Sequence, residues 1–515
     1  MTPSIPPDDR TNSNRDDAAA RYVGAIDQGT TGTRFLVYDR SARPVTSAYA
    51  GHEPIRPAPG HVEHDPTTLW ENTVKVVERA CDQADIRAEE LAAIGVASQR
   101  ATVVLWDAET GQPVANAIVW QDMRTANRTE ELRDNETENL IRDRTGLVPD
   151  TYFPATKLEW LLDETDVRTN PEGIHFGTVD SWLLYNLTGT HATDVTNAAQ
   201  TMLFDIENRG WDEELLSIFD VPREILPTVH PSSDSDVYGE TTVDGYFDAP
   251  VPITAALGDQ QAALLGNGCF EAGDLKVSYG AGSFAHCNTG TDRVHSGNNL
   301  LSTIVYQEAG SEPIYALEGP IFTGGAAFDW LLDVGIIDSA GDIETVVDQT
   351  DHSEGVYLVP GFRGLAAPHW NQSARGLLVG VTPDTTRGHL VRAAVESISY
   401  RVREVVDAIG RDVPMETDSI CVDSGLAEND QFCGLQADVL GTSLDRSGTE
   451  APTALGAAYA AGRAIEYWSQ SEFAAQLESA ASFTPSEDTD YEPRYEQWAR
   501  AVELATRWTA SPYSG

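Results

Sequence analysis

The chain reads as an α/β protein built in two large lobes. Short apolar strand runs alternate with helix-patterned ones, and a strand–glycine turn–strand unit near the start is echoed half a chain later. At 515 residues the chain is also too long for a single hydrophobic core. The first unit starts with an apolar strand over 22–26, which runs into Asp27-Gln28-Gly29-Thr30-Thr31-Gly32-Thr33-Arg34, and a second strand resumes at 35–39. Such a turn suits a phosphate. Glycine lets the backbone approach an anion, threonine hydroxyls and successive N–H groups donate, and a carboxylate at the strand end can hold the Mg²⁺ that travels with nucleotide. No Gly-Lys-Ser/Thr follows, and the chain returns as a hairpin strand instead of opening a helix, which excludes the Walker and dinucleotide-binding loops.

Further elements follow in order. Asp65-Pro66 opens a capped helix through Leu69, Val74, Val77 and Ala80. Apolar runs at 93–97, 102–106 and 117–120 read as strands, with 107–112 as the turn between the last two. Helical patterns cover 156–163 and 181–187, and the segment 266–273 is glycine-rich and loop-like. Then Leu275-Lys276-Val277-Ser278-Tyr279-Gly280-Ala281-Gly282-Ser283-Phe284 repeats the opening design, and two such hairpins suggest two related lobes closing on one nucleotide. A third small-residue cluster, Ser424-Gly425-Leu426-Ala427-Glu428-Asn429, sits between a strand at 419–422 and a helix at 431–440, where glycine admits an aromatic base and Asn429 can hydrogen-bond it. Beyond Ser469 the chain is acidic and helix-patterned.

Charge narrows the function classes. There are 81 acidic against 34 basic residues, a net charge of −47, and only Lys75, Lys157 and Lys276 are lysine. Such a surface repels nucleic acid and anionic membranes. Because the acid is spread along a chain with 41% hydrophobic residues, it describes a folded protein adapted to concentrated salt, where charges are screened within about 3 Å at about 1 M. The melting temperature is accordingly expected to climb steeply between dilute buffer and molar KCl; an unchanged melting curve would count against salt adaptation.

Five scattered cysteines (Cys81, Cys269, Cys287, Cys421, Cys433) give neither a disulfide framework nor a zinc site, which fits a cytoplasmic location. Residues 1–20 read as a disordered acidic tail, and no run is apolar enough to enter a membrane. His52, His61 and His64 are expected at the surface, and His286-Cys287 in strand packing.

The motifs taken together resemble those of the glycerol kinases in the FGGY family of carbohydrate kinases, over residues 22–468. They are Asp27-Gln28-Gly29-Thr30-Thr31; Asn116-Ala117-Ile118-Val119-Trp120-Gln121-Asp122; Tyr152-Phe153 with Thr156-Lys157-Leu158; Phe176-Gly177-Thr178-Val179-Asp180; Gly258-Asp259-Gln260-Gln261; Gly364-Leu365-Ala366-Ala367-Pro368-His369-Trp370 with Ala374-Arg375-Gly376; and Thr453-Ala454-Leu455-Gly456-Ala457-Ala458. The resemblance implies two ribonuclease-H-like domains of the actin/hexokinase type with the active site in the cleft between them. Residues 21–265 would bind polyol and phosphate, residues 266–515 nucleotide. It implies ATP-dependent phosphorylation of glycerol to sn-glycerol 3-phosphate, with ATP and Mg²⁺, in a homo-oligomer.

Phosphoryl transfer to an alcohol needs a base at the hydroxyl, charge neutralisation on the phosphates and a dry site. Asp259, in a Gly-Asp-Gln-Gln turn before an apolar helix, is the base candidate, set against the simpler role of helix N-cap. Asp27 would take Mg²⁺ through water, and Thr30, Thr31, Gly32 and Arg34 would meet the phosphates. By resemblance Arg100, Trp120, Tyr152, Asp259, Gln260 and Phe284 form the polyol pocket, and Gly282, Gly325, Gly425 and Asn429 meet ATP. The departures are Ala101 in place of a glycerol-gripping glutamate, Ala281 for a threonine, Asp329 for a glutamine, Arg363 for a threonine and Ser424 for a glycine. Ala101 keeps open a kinase for a longer polyol or ketose, of the erythritol, ribulose or xylulose type. Ala281 and Ser424 keep open a non-catalytic sugar-binding protein.

Overall fold

The computed structural model describes residues 21–508 apart from 166, 243–246, 340–342, 344–349, 351, 415–418 and 487–489. The tail expected over 1–20 lies outside them. The opening motif folds as read. Strand β1 (Tyr22–Gln28) turns into β2 (Gly32–Tyr38), which pairs antiparallel with β3 (Pro44–Gly51). Two parallel strands, β4 (Leu91–Ser98) and β5 (Ile253–Gly258), complete a sheet of order β5-β4-β1-β2-β3.

The second half repeats this plan. Strands β6 (Leu275–Tyr279), β7 (Ser283–Gly290) and β9 (Ile314–Ile321) are antiparallel neighbours, and β10 (Ser419–Asp423) and β11 (Ser443–Ser447) add in parallel beside β6. The run β9-β7-β6-β10-β11 thus has the same pairing senses as β3-β2-β1-β4-β5, which makes the two lobes topological copies. Strand β8 (Leu301–Tyr306) extends one edge. The other edge gains β12 (Ser479–Phe483), so the region beyond Ser469 is not helical throughout: a short alternating stretch finds an open sheet edge and pairs with it.

Helices cover the sheets. Helix α1 (Pro66–Ala84) is capped by Asp65, whose carboxylate accepts the Thr67 N–H at 2.9 Å, as the Asp-Pro signal predicts. Helix α2 (Pro154–Glu164) and helix α3 (Val179–Thr188) match the two central helical readings. Helix α4 (Asp259–Gly266) follows β5 directly, α5 (Ala326–Asp333) follows β9, and α6 (Arg387–Asp412) lies across the second sheet. Helix α7 (Asp430–Leu440) follows the third glycine cluster, and α9 (Glu492–Arg507) ends the described chain.

Helix α8 (Pro452–Ala464) departs from a simple division of the chain. It comes late in sequence, yet it lies against β1, β4 and β5 of the first sheet and crosses α4. Glycines allow the crossing: a Cβ on Gly456 would fall 1.8 Å from the Ala262 carbonyl, and one on Gly266 would fall 1.9 Å from that of Pro452. No helix among the described residues is long and apolar enough to cross a membrane.

Candidate active site

Side chains of the two lobes meet beside the first turn, where Arg100, just after β4, pairs with Glu318 of β9 and Trp120 meets Phe284 of β7. In the first turn the Gly29 N–H donates to the Gly32 carbonyl at 2.9 Å, and a Cβ on Gly32 would fall 2.3 Å from the hydroxyl of the exposed Tyr49, which would have to move aside. Trp120 Nε1 donates to Thr30 Oγ1 at 2.9 Å, which ties the first turn to the aromatic side chains. Arg34 stands opposite Asp27 in the β1–β2 register.

Asp27, near the end of β1, receives no side-chain hydrogen bond among the described residues. Burial raises its pKa to about 7, Arg34 pulling it down and Asp259 pushing it further up. A buried carboxylate pushed up further by the charge of a second one suits a hydrated divalent cation, which needs few protein ligands. Because the folded pKa lies above the ordinary 3.8, the native state holds the extra proton between about pH 4 and 7, and stability falls as pH rises through that window. Asp27→Asn should therefore flatten this slope and raise the metal-free melting temperature at neutral pH, while turnover collapses; an equal slope in both proteins would remove the raised pKa.

Asp259 is the first residue of α4. Gly258 holds the capping position, so the simple N-cap role does not apply. Its Oδ1 accepts the Gln260 N–H at 2.8 Å and stands 3.5 Å from Arg100 Nε. Burial raises its pKa and Arg100 partly offsets this, leaving a carboxylate more basic than usual.

Arg100 organises the pocket. Its guanidinium donates to both Glu318 oxygens, at 2.9 and 2.7 Å, and to the Tyr152 hydroxyl at 3.2 Å, with its charge 5.6 Å over the Phe284 ring. Trp120 meets Tyr152 at 5.6 Å and Phe284 at 6.2 Å, both edge-on, which builds an aromatic wall opposite the charged groups. Lys276 links the lobes, its Nζ 2.7 Å from Ser278 Oγ in the second sheet and 3.1 Å from Gln260 Oε1 on α4. Lys157 is fully buried and donates to the Ala101 and Tyr152 carbonyls, both at 2.9 Å, so it ties the backbone that follows Arg100 to that of Tyr152.

In the second lobe, Gly282 and Gly325 come together. The Gly325 N–H donates to the Gly280 carbonyl at 2.9 Å and Gly324 N–H to Ala281 at 2.8 Å, docking the second hairpin on the start of α5. The third cluster lies alongside, because Ser278 and Asp423 are register partners in β6 and β10. Gly425 faces open space, and Ser424 holds φ 72°, the left-handed backbone that glycine takes more easily. Asn429 Oδ1 accepts the Phe432 N–H at 2.8 Å as the cap of α7, so that oxygen has a structural role.

Two features escaped the sequence reading. Glu318 was not singled out, although a lone acid in the buried strand Tyr315-Ala316-Leu317-Glu318-Gly319 was a signal. His64 is buried, not at the surface: its ring meets His52 edge-on at 4.6 Å behind the phosphate turn, and burial pushes its pKa down to about 3. His286 is strand-packed as expected, with Nε2 3.2 Å from Glu318.

Family models for the FGGY carbohydrate kinases match both halves, the N-terminal domain over residues 22–266 and the C-terminal domain over 275–465. A glycerol kinase of Haloferax volcanii is 49% identical, the match covering 95% of this chain and 98% of that one. Glycerol kinase 2 of Thermotoga maritima is 44% identical over 95% and 99%. The crystal structure of Plasmodium falciparum glycerol kinase with ADP superposes with a TM-score of 0.84 at 33% identity, covering 94% of this chain and 98% of that one. With family models matching both of its duplicated lobes and relatives of this identity spanning nearly its whole length, the chain belongs to the FGGY family of carbohydrate kinases.

Proposed function

We propose that the chain phosphorylates glycerol with ATP to give sn-glycerol 3-phosphate. The observation that carries this is the meeting of Asp259, Arg100, Tyr152, Trp120 and Phe284 in one recess opposite the Asp27 turn. Asp259 takes the proton of the attacking hydroxyl as its oxygen forms a bond to the γ-phosphorus, and the bond from that phosphorus to the β-bridging oxygen breaks to release ADP. Arg100 and Tyr152 hold the other hydroxyls, and the Trp120 and Phe284 faces cover the carbon chain and exclude water. Thr30, Thr31, Gly32 and Arg34 receive the phosphates, with Gly282, Gly325 and Gly425 lining the nucleotide. Asp27 would hold Mg²⁺, which supplies charge neutralisation on the β- and γ-phosphates when bound.

Ala101 favours a second reading, a longer polyol or ketose, because an alanine follows Arg100 where the resemblance expects a glutamate. Coupled ADP release on glycerol, erythritol, ribulose and xylulose in molar KCl tests both. Glycerol is expected to give the highest kcat/KM, and Ala101→Glu to lower its KM by about tenfold through a regained charged acceptor. A preference for a longer substrate, with Ala101→Glu blocking it, would assign the second reading instead.

A further inference from the structure

Next to the polyol recess lies a cavity of about 940 Å³ whose chemistry the kinase reaction does not use. Its walls carry Arg56, Arg124, Arg133, Arg363 and Arg375 against a single carboxylate, Glu130. That is a concentrated patch of cations on a chain with a net charge of −47. Three of the arginines have protein partners. Arg124 bonds Asp122 and Glu63, Arg133 donates to the carbonyls of Trp370 and Pro149, and Arg375 donates to those of Gln372 and Ala374.

Arg56 and Arg363 have no hydrogen-bond or ion-pair partner among the described residues. Arg363 is the more buried of the two, and burial first and the charge of Arg56 second disfavour its protonated form. A half-buried cation and an exposed one at the rim of the same cavity, neither with a protein partner, point to an anion as their shared ligand. Planar guanidinium forks match tetrahedral oxyanions in pairs, and such charge-assisted pairs keep their geometry where salt screens long-range attraction. We propose that this cavity binds a phosphate group, as the free ion or as a small phosphate ester, between Arg56 and Arg363.

Placement gives the site its effect. The cavity shares Gln121, Met123 and Arg363 with the recess that Trp120 and Tyr152 line, so the anion would sit at the mouth of the polyol pocket. Arg56 lies in the loop after β3, and Arg363 in a loop of the second half of the chain. A bound phosphate would therefore join the two sides of the cleft entrance. Only the choice of sn-glycerol 3-phosphate as one ligand rests on the proposed function; the phosphate site itself does not.

Calorimetric titration of the full chain in molar KCl, with a non-hydrolysable ATP analogue saturating the nucleotide side, tests this. Inorganic phosphate and sn-glycerol 3-phosphate are the two probes. Saturable binding is expected, weakened about tenfold or more by Arg56→Gln and by Arg363→Gln, each variant keeping the wild-type melting temperature without ligand. Arg209→Gln, a surface change away from the cavity, should leave binding as it is. Equal binding of both probes assigns the free ion, and stronger binding of the ester assigns the product. Absence of saturable binding to the wild type, or equal affinity in wild type and both variants, overturns the proposal, whether or not the chain phosphorylates glycerol.

Discussion

Asp259→Asn is expected to lower turnover by about 10²–10⁴-fold with folding and ATP affinity unchanged. The expected size rests on the position of the side chain. Asp259 starts α4 without capping it, so its carboxylate is not needed to hold the helix, and the amide of asparagine can still accept the Gln260 N–H. What the variant loses is basicity, and burial has raised that basicity in the native site. The KM for glycerol should move less than kcat, because Arg100, Tyr152 and the aromatic wall remain. Single-turnover measurements with saturating ATP check this, and near wild-type rates would remove Asp259 from the role of base.

Glu318→Ala is expected to destabilise the protein by about 3–5 kcal/mol, the cost of leaving a buried cation without its partner. Arg100 and Glu318 are both essentially inaccessible to solvent. Burial alone would raise the Glu318 pKa, but Arg100 and then His286 hold it below the ordinary carboxylate range. A depressed carboxylate pKa stabilises above the unfolded value and is lost only as pH falls through the folded one, so the wild type should keep this contribution across the neutral range. Replacing both partners separates stability from function. Glu318→Ala with Arg100→Met should recover much of the melting temperature, since the guanidinium is no longer buried without Glu318, while glycerol affinity stays low because the pocket has lost its guanidinium. If the double variant is as unstable as Glu318→Ala, the penalty comes from lost packing and not from the orphaned charge.

What the sequence disclosed and what it hid differ in the span of the interactions. The hairpin turns at Gly29 and Gly280, the Asp65 cap and the Asp259 turn are decided by a few neighbouring residues, and all are where the pattern places them. Glu318 was invisible as a pocket residue because its partner Arg100 lies 218 positions away, and only the folded sheets bring them together. His64 was misplaced for a related reason: its loop is polar by composition, but the segment folds back under the phosphate turn and is covered there. The alanine-rich text of α8 says that a helix is buried, but not that the first sheet buries it.

That last arrangement bears on how the protein is made. The first sheet is complete in sequence when β5 ends at residue 258, but the helix that covers part of it ends only at residue 464. At about 5–20 residues per second, a ribosome needs roughly 10–40 s to supply the missing stretch. During that interval a nascent lobe with an uncovered apolar face waits for its cover. The packing of the first half is therefore completed only by the second, and the length of its exposed period is set by the synthesis of the second.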